Sequence, residues 1–482
     1  MYNGYVVRVE HLRPHPNADK LQILTVFYND TCVSLDVAIG DLGVYFPSDG
    51  QLSEEFCEYN HLCRTKKDGT PDTGYMDPEK RNVKAIRLRG EKSDGIYLPI
   101  KCLEYTGVDL KSLAPGDPIT IVNGHEICTK YIPKYVDKPV RERTGNRVRK
   151  KKEPTAPLFK EHADTEQLVY NLDAFKPGDE IEISLKLHGT SQRTAYLPVL
   201  QGYADSWSCY VGNAFRHIMK KMGCYHGEDV HDGEPIYDYG YVTGTRRKVL
   251  DGYDDGFYGS NAFREPHAKV FEGKLWKGET VYYEVVGFTT TGQPIMSDAS
   301  SKKLNDKEFI KQYGETTRFS YGCHPNGTNH LTVNNGEGDP FYDPRPQSDI
   351  YVYRMTMTNP DGEVVEYTPD FMRYRCEQMA VKTVPVFAKA ILNEESRFAT
   401  NDDSTEPGDL GAYVMKMAEL FYDGPDPIGK THVREGVVVR IINRPKFAAY
   451  KHKNFSFKVL EGIAKVDAEA PDMEEAQEVD NV

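Results

Sequence analysis

The run Ile181-Glu-Ile-Ser-Leu-Lys-Leu-His-Gly-Thr-Ser191 constrains the fold more than any other part of this chain. Apolar Ile181, Ile183, Leu185 and Leu187 alternate with Glu182, Ser184, Lys186 and His188. A period of two predicts a half-buried strand, with one face on a core and the other free for chemistry. Lys186 stands on the second face, and the strand runs directly into Gly189. A lysine there has the right chemistry for a nucleophile, and a glycine lets a nucleotide approach the backbone closely.

A free lysine amine has a pKa of about 10.4, so it attacks a phosphate only after losing its proton. Nearby cations favour that loss. The segment Lys451-His-Lys453 supplies two on one strand face. Two more candidate strands carry acids. Thr280–Phe288 puts Glu284 in line with Tyr282 and Val286, and Arg434–Ile441 puts Glu435 beside Gly436 ahead of an apolar β-branched run.

The order Lys186-x-x-Gly189, Glu284-x-x-Gly287, Glu435-Gly-Val-Val438 and Lys451-x-Lys453 resembles the covalent nucleotidyltransferases, namely polynucleotide ligases and mRNA capping enzymes. The form Lys-Leu-His-Gly-Thr-Ser, with His188, is similar to the RNA ligase branch. The resemblance implies lysyl-AMP chemistry with ATP and Mg²⁺ or Mn²⁺. In it Lys186 is the nucleophile, Lys451 and Lys453 neutralise phosphate, Glu284 holds a ribose hydroxyl, Glu435 binds metal, and His188 serves later steps. Val242–Leu250 is similar to an element whose arginine contacts the ribose, with Arg246 first and Arg247 second. Ser348–Met357 is similar to one whose aromatic stacks on adenine, with Tyr353 ahead of Tyr351. DNA ligases, guanylyltransferases and a non-catalytic RNA-binding relative stay open as alternatives.

At the front, Tyr5–Val26 reads as two strands around a Pro-His-Pro-Asn turn. Ile39–Asp49 and Val83–Pro99 add short strands,. This pattern resembles OB-fold RNA- and tRNA-binding modules. The expected class is α+β: an OB-like β-barrel over 1–130, a basic linker over 131–160, and an adenylyltransferase domain over 161–463. That domain is expected to rest on antiparallel sheets with flanking helices, followed by an acidic disordered tail over 464–482. Only the short acidic stretch to Val482 follows Lys453, too little for a C-terminal barrel, which favours RNA ligases over DNA ligases and capping enzymes.

The net charge of −13 is not that of a protein gripping duplex nonspecifically,. Positive charge is instead concentrated locally, from Lys134 to Lys160 in the linker. No apolar run of membrane length and no signal peptide are evident. The nine cysteines are scattered, as in a reducing compartment,. A cytoplasmic monomer acting on RNA ends is expected. Cys57, His61 and Cys63 lack a fourth ligand and read as packing residues. Ser206–Arg216 is expected to lead from strand into helix, Pro369–Asn393 to be helical, and Gly322–Pro346 to be a surface loop.

Overall fold

In the computed structural model, Ile181, Ile183 and Leu185 are all buried and face the core, as the alternation requires. The structure describes residues 2–66, 69–131, 155–163, 165–224, 229–254, 258–328, 343–396 and 409–467. Of the basic cluster, only Lys160 lies within them. The acidic tail beyond 467 lies outside.

Two five-stranded sheets face each other in the C-terminal part. The first runs in the order Glu166–Gln167, Ala448–Lys453, Gly436–Ile441, Glu180–Lys186, Val386–Ile391. Its pairings are antiparallel except the first, which is parallel. Its apolar face (Ile181, Ile183, Val437, Val439, Ile441) packs on Leu410, Val414, Met415 and Ala418 of helix Leu410–Glu419. The second sheet runs Pro235–Gly244, Thr190–Tyr203, Glu279–Gly287, Ser348–Thr358, Val364–Glu366, antiparallel throughout. Val281, Tyr283, Val285, Ile350, Val352 and Met355 bury its apolar face with Met372, Cys376 and Met379 of helix Pro369–Met379. Two sheets and their helices thus leave the polar faces to line the space between them.

The N-terminal part is built on short strands. A four-stranded antiparallel sheet orders Pro118–Ile119, Gly4–Arg8, Leu42–Phe46 and Ile96–Pro99. A three-stranded sheet joins Leu12–Pro14, Leu21–Val26 and Asn29–Ser34, and a hairpin pairs Ala85–Leu88 with Glu91–Asp94. Val6, Val44, Phe46, Leu52 and Phe56 anchor its own core. Among the described residues these pairings form separate sheets and not one closed ring.

Local expectations are corrected at four places. The helix from Pro369 stops at Met379, because Ala380 adopts a left-handed cap at φ 55°. The following Val-Lys-Thr-Val-Pro385 is β-branched and ends in a residue without an N–H, so the chain continues as edge strand Val386–Ile391,. Residues 207–221 are helical from the outset, with the Ser206 hydroxyl accepting from Cys209 N–H as N-cap; the strand ends earlier, at Tyr203,. The passage 322–346 contains a short parallel pairing of Gly327–Thr328 with Asp343–Pro346, residues 329–342 lying outside the description. Helix Phe455–Asp467 crosses the expected boundary at 463. Cys57 is core, in keeping with a packing role; His61 is instead exposed and pairs with Asp72 at 3.1 Å.

Candidate active site

Strand register assembles the site. Lys186 lies opposite Gly436, and Gly436 opposite Lys453; Ser184 lies opposite Val438, and Val438 opposite Lys451. Lys186, Lys451 and Lys453 therefore stand on one face of three neighbouring strands, at the end where the lysine strand stops. Gly436 makes the tight crossing possible. Its φ is +150°, and a Cβ there would sit 2.1 Å from the His452 carbonyl oxygen,.

Glu435 is the centre of this end. It is 2% exposed. Its Oε1 is 2.8 Å from Lys186 Nζ and 3.5 Å from Lys453 Nζ. Lys453 also pairs with Glu461 at 2.8 Å. The sequence leads one to expect cations around the Lys186 amine; the structure also places the Glu435 carboxylate 2.8 Å from it. The buried Glu435 Oε2 has no hydrogen-bond partner. A buried carboxylate oxygen left bare is costly unless something else binds it. Its chemistry fits a hard divalent cation, which prefers carboxylate and water oxygens.

His188 differs from its expected place. The strand ends at Lys186, and the His188 ring packs edge-on between Phe319 (4.8 Å) and Phe457 (4.7 Å). Its Nδ1 is 4.0 Å from Glu435 Oε2. Its backbone N–H donates to the Tyr321 hydroxyl at 2.7 Å. Tyr321 was not singled out in the sequence. Burial, reinforced by the charges of Asp426 and Glu435, pushes its phenol well above the ordinary range, so it stays a neutral post. A lone tyrosine in a turn-rich passage carries no sequence signal for that role.

The second sheet supplies the facing wall. Glu284 lies opposite Ser191 on one side and Tyr351 on the other. The Ser191 hydroxyl and Tyr353 hydroxyl are 2.9 Å apart. The strand register shifts here, leaving Tyr353 outside the regular ladder. Tyr351 is instead 7% exposed in the core, with its hydroxyl 3.2 Å from Asp349. Gly189 was expected to admit a nucleotide. A Cβ there would lie 2.4 Å from the Val285 carbonyl and 2.9 Å from Glu284 Cγ, so the glycine serves close packing of the two strands,.

Deeper along the cleft lies a second charged cluster, unforeseen from the sequence. Arg354 holds Glu366 with paired hydrogen bonds, and Arg440 reaches the same carboxylate at 3.4 Å,. Arg354 also lies over Tyr282 (4.5 Å) and Phe447 (4.4 Å), and it donates to His162 Nδ1 at 2.9 Å. The His162 ring sits 5.4 Å from Tyr353. Burial, then Arg354, Arg246 and Arg193, holds His162 far below its ordinary pKa, hence neutral. Arg246 is half-buried beside it, and its carbonyl accepts from His162 N–H at 3.0 Å. Arg247 is exposed.

Lys186, the buried carboxylate of Glu435 and Lys453 thus meet at one end of the two sheets. No protein-family profile matches the sequence, and no curated protein is detectably similar to it. In structure the chain is similar to Naegleria gruberi RNA ligase with PPi, at 16% identity and a TM-score of 0.49. That likeness covers 94% of this chain and 97% of the other. It is likewise similar to a mutant of that ligase with ATP and Mn, at 15% identity, a TM-score of 0.48, and coverage of 94% and 98%. Likeness of this degree does not by itself assign an activity.

Proposed function

We propose that the chain is an ATP-dependent RNA ligase that joins 3′-hydroxyl and 5′-phosphate ends through a lysyl-AMP intermediate. The observation that carries the reading is the convergence of Lys186 and Lys453, from two strands, on the buried Glu435 that opens the strand between them.

Lys186 Nζ attacks the α-phosphorus of ATP; an N–P bond forms, the bond to the bridging oxygen breaks, and pyrophosphate leaves. The AMP then passes to the 5′-phosphate of an RNA end, and Lys186 regains a free amine. A 3′-hydroxyl attacks the activated phosphate, releases AMP and completes the phosphodiester. All three steps are in-line displacements, so positioning and charge neutralisation carry the rate. Lys451 and Lys453 draw charge from the α-phosphate oxygens. Glu284 accepts from a ribose hydroxyl. Tyr353 stacks on the adenine, with Tyr351 relegated to packing. Arg246 reaches the nucleotide from the half-buried turn beside His162. A divalent cation, Mg²⁺ or Mn²⁺, held by Glu435 would add positive charge against the phosphates.

The N-terminal module, assigned to 1–130, is read as OB-like and as the grip on RNA. The basic segment 131–160 is a phosphate-contacting linker, 161–463 the catalytic domain, and the acidic tail an appendage. The protein acts as a monomer, in the cytoplasm, on nicked or broken RNA. Among the described residues no helix is long and apolar enough to cross a membrane.

Incubation with α-³²P-ATP should give an acid-labile labelled protein, and α-³²P-GTP should not. Nicked duplexes with each strand RNA or DNA in turn should be sealed when the broken strand is RNA. Labelling by GTP alone would move the protein to the guanylyltransferases. Sealing confined to DNA strands would move it to the DNA ligases.

A further inference from the structure

The N-terminal module meets the catalytic part through Tyr5 and Phe27, which pack on Tyr170, and through the hairpin Ala85–Leu88/Glu91–Asp94, which packs on helix Phe455–Asp467. Asp94, itself 3% exposed, pairs with Lys458 at 2.6 Å. Its other carboxylate oxygen has no hydrogen-bond partner, and among the described residues Lys458 is the one cation paired with it. Arg87 and Lys92 of the same hairpin lie over the Phe455 ring, at 5.7 and 5.5 Å. Arg87 reaches Asp306 at 3.0 Å. Ala85 completes an apolar cluster with Phe455, Val459, Leu460 and Val433, two residues from Glu435.

That helix begins two residues after Lys453; two of its side chains and the backbone N–H just before it bear on the site. Glu461 holds Lys453 at 2.8 Å. Phe457 packs against His188. The Asn454 amide N–H, just before the helix, donates to the Glu435 carbonyl at 2.8 Å. A single rigid helix thus links Asp94 to Lys453, His188 and Glu435.

We propose that Asp94 is a positioning residue for adenylation, acting through Lys458 and this helix to set the Lys453 amine and the His188 ring. The N-terminal module is then part of the nucleotide-activating machinery as well as a grip on RNA. The proposal rests on the ligase reading above. A buried carboxylate paired with one lysine is suited to such work: losing either partner leaves an uncompensated charge, so the helix must shift. Displacements of about 1 Å at a reacting centre cost up to roughly 100-fold in rate.

The test uses the full chain and single-turnover adduct formation from α-³²P-ATP. Asp94→Asn and Lys458→Met should each slow the adduct-forming step by roughly 10- to 100-fold with the ATP concentration dependence unchanged. The double variant should be no slower than the worse single one, because both remove one link. Asp94→Glu should recover most of the rate if carboxylate charge is what matters. Thermal melts of every variant separate misfolding from misplacement: a slow variant that melts with the wild type supports the proposal. Wild-type rates in both single variants, or losses that multiply in the double, would overturn the proposal and leave the ligase reading standing. A wild-type protein that forms no adduct would overturn both.

Discussion

The cleft between the two sheets has two charged ends that are built differently. At the lysine end, Lys186 and Lys453 share the carboxylate of Glu435, whose second oxygen is bare. At the arginine end, Glu366 is held by Arg354 and Arg440, and the guanidinium planes are covered by Tyr282 and Phe447. The first end has compact ammonium groups around a carboxylate with one oxygen outside any hydrogen bond. The second has planar cations stacked on aromatic rings, with Arg354 paired to Glu366 through several hydrogen bonds and Arg440 through one,. At the arginine end the carboxylate is shared by two stacked guanidinium groups; at the lysine end one of its oxygens is left without a hydrogen-bond partner.

The sharpest way to break this contrast is Lys186→Ala. The labelled adduct should vanish on denaturing gels while the melting temperature stays near wild type. An adduct surviving this change would place the nucleophile elsewhere. Next is Arg354→Met at the other end. Leaving Glu366 half-paired in a buried setting should cost about 3–5 kcal/mol of stability in denaturant unfolding. A loss below about 1 kcal/mol would mean that the arginine end is not structural. Lys453→Ala should lower the adenylation rate by roughly 100-fold, about 3 kcal/mol in the barrier. Its circular dichroism should match wild type, since Lys186 still pairs with Glu435.

The smallest effect concerns His452, stacked on Tyr422 behind the lysine strand. Burial, then the Lys458 charge, lowers its pKa to about 3. The sign follows from linkage: the unfolded imidazole binds a proton below about 6.5, and the folded one does not until about 3,. Stability therefore falls as pH drops through that window, by about 1.4 kcal/mol per pH unit from this group. Unfolding of His452→Gln followed from pH 6.5 to 4.5 should show a shallower slope by that amount. An unchanged slope would mean that the buried imidazole is not neutral.

Period two was legible in the chain itself. It placed Lys186, Glu284, Lys451 and Lys453 on strands, and the structure has all four there. The stop after Met379 was not legible, because the residues up to Asn393 suit a helix until Ala380 turns left-handed and Pro385 removes a donor. Nor was the role of Gly189, whose constraint is set by Val285, far along the chain.

Local alternation and residue chemistry, which depend only on near neighbours, determined which side chains face away from the core and which of them suit phosphate chemistry. Only the tertiary structure decided that Glu435 would pair with Lys186, that His188 would pack between Phe319 and Phe457, and that Arg354, Arg440 and Glu366 would meet. Each of these joins residues from distant segments, and such contacts follow from register and packing between sheets, which no local pattern encodes.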